Sequence, residues 1–176
     1  MWNDISRFYF KITFMKGLLN IILAILLSTN VLYAQKKNDL KKEAIEKMIA
    51  AHNYVFKAQT VLPTGAVPNR QLTSDYDLRV SPDTVVSYLP YFGRAYTAPM
   101  DPTKGGIQFT STKFDYKETQ RKKGGWDILI KPHDIQDATQ LSLNISETGY
   151  ASLQVISNNR QPISFSGYIV EKKGNR

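Results

Sequence analysis

The sequence predicts a mainly β protein: an antiparallel meander of about eight strands closing into a small, lipocalin-like barrel, with one N-terminal α-helix. Three observations predict it. Between residues 76 and 169, apolar and polar residues alternate in short runs, the two-residue period of a strand with one wet face. Clusters of Gly, Pro, Asn, Asp and Ser of hairpin length separate most of the runs. Joined mostly by short hairpins and wet on one face, the runs suggest a sequential antiparallel meander, and a meander of this size removes its edges by closing.

The first element is a leader. Leu18 to Leu27 reads LLNIILAILL, with Lys16 before it and STNVLYA-Q after it. A basic start, a short apolar run and a small residue before the cut are the parts of a secretory signal peptide. The run is well short of the roughly 20 apolar residues a bilayer span needs. Cleavage is expected after Ala34, so that the mature chain starts at Gln35, and Met15-Lys16 resembles a leader start more closely than Met1 does. The expected organisation is a signal peptide over 1–34, an N-terminal helix over 35–60 and a barrel domain over 61–176. No membrane span is expected after processing.

Removing residues 1–34 leaves 142 residues, enough for one core, and lowers the net charge from +8 to +6. The chain has no cysteine, so neither a disulfide framework nor a lipid-bearing cysteine is available. Basic residues cluster in KKNDLKK (36–42), RKK (121–123) and EKKGNR (171–176). These read as solvated ends and a turn, with weak attraction to an anionic envelope surface as the functional alternative. No recognition helix or aromatic RNA-binding motif is present, and no nucleic-acid partner is expected.

The helix is read from Asp39 to about Ala58. Leu40, Ala44, Met48, Ala51 and Val55 recur at helical spacing, Asp39 is the N-cap, and Pro63 with Gly65 ends the region. Strand alternation follows in Tyr76-Leu78-Val80, a Ser81-Pro82-Asp83 turn, and TVVSYL (84–89). Pro90 ends that strand, and 17 residues, 90 to 106, separate it from the next. Ile107 and Phe109, Phe114 and Tyr116, then Trp126, Ile128 and Ile130 form three more strands, the last two joined at Gly124-Gly125. Leu141 to Ile145, Ala151 to Val155 and Ile163 to Ile169 complete the series. Tyr76, Tyr88, Phe114, Tyr116, Trp126 and Phe165 are the large residues expected inside, nearly filling a barrel of this size.

The chemistry-bearing residues are few. His52 and His133 are the only histidines, short of the ligand set of a zinc site. His133 with Asp137 has metal-ligand spacing but reads better as a polar loop. Asp75 and Asp77 share a strand face, which their alternation with Tyr76 and Leu78 makes the solvent face. There is no G-x-S-x-G elbow, because Ser164 stands where it needs a glycine, and TKGG (103–106) is not a phosphate loop. No enzyme activity and no cofactor are expected.

The stretches DLRVSPDTVVSYLPYFGRAYTAPM (77–100), KKGGWDILIKP (122–132) and SNNRQPISFSGYI (157–169) resemble landmarks of an uncharacterised family. It comprises small secreted proteins of Bacteroidetes-type bacteria, carrying a domain-of-unknown-function label (DUF4251-like). The resemblance spans about Phe56 to Ile169. It implies an exported, periplasmic or secreted envelope protein and carries over no catalytic residue. It also implies that Asp83-Thr84-Val85 matches a short O-glycosylation motif, with Thr84 as acceptor at a turn.

Function is then sought in the long aromatic loop. A connection of this length is typical of lids and binding loops. Tyr91, Phe92, Arg94 and Tyr96 are the candidate binding residues, an aromatic platform with one cation at the barrel mouth. The expected partner is an unidentified small molecule or cell-envelope component. The alternative is a structural or interaction protein with a filled core, in which the loop only plugs the barrel end.

Overall fold

A computed structural model describes residues 41–65, 68–96, 105–136 and 138–172; the expected leader, its Ala34-Gln35 cleavage point and the Asp39 cap lie outside the described residues. A helix, α1, occupies 41–50. Nine strands follow: β1 (Tyr54–Pro63), β2 (Arg70–Val80), β3 (Val85–Leu89), β4 (Ile107–Ser111) and β5 (Phe114–Gln120), then β6 (Trp126–Pro132), β7 (Gln140–Ile145), β8 (Tyr150–Ile156) and β9 (Ile163–Glu171). They form one sheet in the order β4-β3-β2-β1-β9-β8-β7-β6-β5, with every pairing antiparallel. The meander therefore curls round until its last strand pairs with its first. The result is a nearly closed barrel.

The seam lies between β4 and β5. Eight antiparallel steps separate them around the sheet, so the two must run in the same direction. Only Thr112 and Lys113 stand between them in the chain. They are two halves of one bent stave, the first paired with β3 and the second with β6. The nine strands thus make eight staves, which is why the alternation count comes close. Asp134 pins the bend: its carboxylate accepts from the Ser111 hydroxyl and from the backbone N–H groups of Thr112 (2.8 Å) and Lys113 (3.2 Å). The Ser111 bond, then the Thr112 N–H, hold the Asp134 carboxyl at about 2, below its ordinary value of 3.8.

The interior is occupied by side chains. Trp126, Tyr54, Phe56 and Phe165 are the largest of those fully buried, with Leu78, Ile128, Ile130, Leu141, Leu143 and Leu153 around them. Tyr54 directs its hydroxyl at that of Tyr116 (3.3 Å), and burial raises the pKa of both, Tyr116 to about 12. Of the six residues expected inside, Trp126 and Phe165 are buried, while Tyr76, Phe114 and Tyr116 are partly buried against the core. Tyr88 is not inside. It pairs with Asp77 on the outward side of the wall and is 48% exposed.

The expected helix over 35–60 is corrected to one that stops at residue 50, and the barrel begins at Tyr54 rather than at residue 61. The stop is a Schellman turn. His52 adopts φ 47°, its N–H bonds Ile49 O (2.8 Å), and the Asn53 N–H bonds Met48 O (3.0 Å). From Tyr54 on, the chain pairs with both β2 and β9, so the helical spacing of Ala51 and Val55 is overridden by two ladders of backbone bonds. The short helix buries Ile45 and Ile49 in the core and closes one end of the barrel. At the Gly124-Gly125 hairpin the connection is five residues, Arg121 to Gly125, with both glycines at positive φ.

Asp77 also departs from expectation. It faces outward, as its alternation requires, yet it is 2% exposed. Lys57, its register partner on β1, donates to it at 3.0 Å, and Arg79 approaches it at 3.3 Å. Two cations and the neighbouring strand cover the carboxylate, while Asp75 stays exposed. The two carboxylates do not form a pair.

Candidate functional site

The loop-bearing end of the barrel is built from the connections β1–β2, β3–β4, β6–β7 and β8–β9. Pro90 ends β3 as its missing N–H requires, and the chain then crosses the barrel mouth. Residues 94–96 run as a short extended segment against the β8–β9 turn. Ala95 bridges Arg160, the Gln161 N–H bonds Arg94 O (3.0 Å), and the Tyr96 N–H bonds Asn159 O (2.8 Å). Tyr91 reinforces this strap, its phenol proton shared between Arg94 O (2.7 Å) and Gln161 O (3.1 Å). Burial raises the Tyr91 pKa, so the hydroxyl stays a donor at neutral pH.

Arg160 is the second anchor. It is 7% exposed, and its Nη1 donates to Gly105 O and Gly106 O, both at 3.0 Å. Its guanidinium also lies 5.1 Å from the Tyr91 ring centroid. One buried cation therefore ties the start of the loop, its end and the β8–β9 turn together. Gly106 is required there, since a Cβ would stand 2.6 Å from Leu89 O. Phe92 packs partly into the core, with the Arg70 guanidinium 5.2 Å from its ring centroid.

The four residues expected to bind are thus brought to one end but divide into two pairs. Tyr91 and Phe92 turn toward the barrel and hold the loop. Arg94 and Tyr96 stand at the rim, Tyr96 65% exposed, and the Arg94 guanidinium makes no ion pair among the described residues. Arg160 and Arg70, which sequence reasoning passed over, supply the remaining cations. Their signal is weak, because each lies next to a turn and the aromatics they cover are distant in sequence.

Elsewhere, Thr84 sits half-buried at the β2–β3 turn with its hydroxyl donating to Asp83 (3.1 Å). His52 stacks on Tyr116 with ring centroids 4.0 Å apart. His133 pairs with Asp115 at 3.0 Å on the surface, and Asp137 lies outside the described residues. Among the described residues no group of three or more metal-ligating side chains converges. None of their helices is long and apolar enough to cross a membrane.

The family model described as "Domain of unknown function (DUF4251)" matches residues 36–169. The chain belongs to the DUF4251 family. A solved relative shares the architecture: a DUF4251 family protein from Bacteroides eggerthii DSM 20697 superposes with a TM-score of 0.55 at 16% identity. The match covers 75% of this chain and 88% of that one. At that identity the DUF4251 likeness speaks to the fold alone. No curated protein matches the chain.

Proposed function

We propose that this DUF4251 chain is an exported, non-enzymatic binding protein that takes an anionic component of the cell envelope on the rim of its barrel, not in its interior. The division of labour in the aromatic loop carries the reading. Arg160 and Tyr91 hold the loop in place, leaving Arg94 and Tyr96 to face solvent from an already anchored backbone. A cation carried on an anchored backbone, two residues from an exposed phenol, suits an anionic head group that also carries hydroxyls. Arg70, over Phe92, adds positive charge at the same end. The leader read from residues 1–34 would deliver the protein to the periplasm or beyond.

Co-sedimentation of the mature chain with phosphatidylglycerol vesicles, against phosphatidylcholine vesicles, tests this. Binding to the anionic vesicles is expected, with loss of about tenfold or more in affinity on Arg94→Ala. Equal binding to both vesicle types, or no effect of Arg94→Ala and Tyr96→Phe, would sink the rim reading. A second reading, a filled structural barrel that docks on an envelope protein, is favoured by the axis itself, which Trp126, Tyr54, Phe56 and Phe165 occupy. Crosslinking in the native periplasm that yields one stoichiometric protein partner would select it.

A further inference from the structure

The outer wall formed by β7, β8 and β9 is the widest uncharged part of the sheet's outer face; the outward positions of β3 and β4 (Val86, Tyr88, Gln108 and Thr110) are also uncharged but number only four. On these three adjacent strands every even-numbered position faces outward, eleven in all, and none carries a charge. In a chain with 22% charged residues that is an unusual wall. Four of the positions are serines: Ser142, Ser152, Ser164 and Ser166. Three are amides, among them Asn144 and Gln154. In register these side chains form rows across the strands, with Asn144 opposite Ser152 and Ser152 opposite Ser166. Tyr150 stands directly opposite Tyr168, and both rings are exposed.

Two shallow, open grooves border this wall. One, of about 410 Å³, is lined by Tyr150, Asn144, Ser152, Ser166, Arg121 and Gln59 among others. The other, of about 360 Å³, lies beside Tyr168 between β1 and β2. The ladder is broken there: Ala58 pairs with Tyr76 and Thr60 with Gln71, so residues 72–75 have only Gln59 opposite them on β1. Gln59, the extra residue of the β1 bulge, lines both grooves. It is their common wall.

We propose that this wall is a binding surface for a neutral glycan, independent of the barrel rim. Three features select that ligand class. Hydroxyl and amide groups both donate and accept, and stay satisfied only against a partner dense in hydroxyls or against water. An apolar partner would desolvate them without return. Protein interfaces are depleted in Ser, which dominates here. The cations that line the grooves are paired, Lys57 with Asp77 (3.0 Å) and Arg121 with Asp127 (3.6 Å), and Lys41 at the Tyr150 edge is the one nearby cation without a carboxylate among the described residues, so an anionic chain finds little to bind. The tyrosines offer amphipathic rings on which the C–H face of a pyranose stacks while their hydroxyls reach its oxygens. Lys41 lies 5.8 Å from the Tyr150 ring centroid, which leaves Tyr168 as the ring to test.

Backbone NMR of the mature chain, titrated separately with maltohexaose, cellohexaose, mannohexaose and a heparin hexasaccharide, decides it. At least one neutral hexasaccharide should shift amides of 142–144, 150–154 and 164–168. Its affinity should fall about tenfold or more in Tyr168→Ala and in Gln59→Ala, survive in Tyr168→Phe, and be unmoved by Arg94→Ala. These positions are on the surface, so the variants keep the fold and the spectrum reports it. No shift with any of the three neutral sugars at ~10 mM overturns the proposal. So does preferential binding of the heparin fragment, a shift pattern centred on residues 91–96, or indifference to Tyr168→Ala.

Discussion

The two ends of the barrel are closed by opposite means. At one end α1 inserts Ile45 and Ile49, 3% and 0% exposed, and its surface contacts are secondary: a Lys42–Glu147 ion pair and a lysine over Tyr150. At the other end the aromatic loop is fastened by hydrogen bonds from Arg160 and Tyr91 to backbone carbonyls, and its aromatics Tyr91 and Phe92 enter the core only partly. The apolar closure depends on burial, which is non-directional and tolerant of small shifts. The polar closure depends on geometry, which fixes the loop without consuming all its side chains. That difference separates an end whose side chains are committed to the core from an end that leaves Arg94 and Tyr96 exposed.

The sharpest way to break the comparison is to shorten one apolar anchor at the helix end. Ile49→Ala should cost about 2–5 kcal/mol, the range for a fully buried aliphatic side chain. Phe92→Ala at the loop end should cost less than the about 3–5 kcal/mol of a fully buried aromatic, because Phe92 is only partly buried. Urea unfolding of the two variants measures both. If Phe92→Ala proved the costlier, the loop would be the principal plug and the contrast would fail.

The polar end has its own weak point. Arg160→Ala removes the charged donor that two part-buried loop carbonyls share and should cost about 1.5–3 kcal/mol. Arg160→Met, which keeps the bulk, should restore little of it. Amide exchange of residues 94–96 should accelerate in both variants while that of α1 does not change. Equal acceleration at both ends would mean that Arg160 supports the whole barrel rather than the strap.

A pH titration sharpens the seam that links the ends. The Asp134 carboxyl has its pKa depressed to about 2 in the folded protein against an ordinary 3.8. A depressed acid stabilises the fold above its unfolded pKa and loses that contribution as pH falls, here between about 4 and about 2. Wild type should therefore exceed Asp134→Asn in stability at about pH 6, and the gap should close toward about pH 2. Thermal melts at a series of pH values check it, and a constant gap would show that the carboxylate's charge does not hold the bend.

Much of this was legible in sequence, for a stated reason. Strands such as Trp126-Ile128-Ile130 and Leu141-Leu143-Ile145 bury alternate residues to within 2% of completion, so period two is written in them plainly. β1 was not legible, because YVFKAQTV follows a helical stripe and its apolar residues also fit helical spacing. The signal that marks β1 is the β-branched and aromatic run that starts at Tyr54, while the stop itself falls on His52, a residue type with no strong preference for ending helices. Asp77 was placed on the correct face, but its cover depends on Lys57, twenty residues away, and a cross-strand register is invisible locally. The rim residues were found from loop length and composition. Their anchors, Arg160 and the carbonyls of Gly105 and Gly106, were not, since backbone acceptors leave no trace in sequence.

The smallest expected stability effect belongs to the residues with the largest expected functional one. Arg94 and Tyr96 are exposed, and the bonds that place them run through backbone atoms: Arg94 O accepts from Gln161 and Tyr91, and the Tyr96 N–H donates to Asn159. Replacing their side chains leaves those bonds intact. Arg94→Ala and Tyr96→Phe should each change stability by no more than about 0.5 kcal/mol, as surface substitutions do. Both should preserve the amide protection of residues 94–96 that Arg160→Ala removes. Denaturant melts and hydrogen exchange on the same samples make the test. A loss of protection in Arg94→Ala would show that the guanidinium helps to fasten the strap, and the rim would then be part of the closure rather than a surface carried by it.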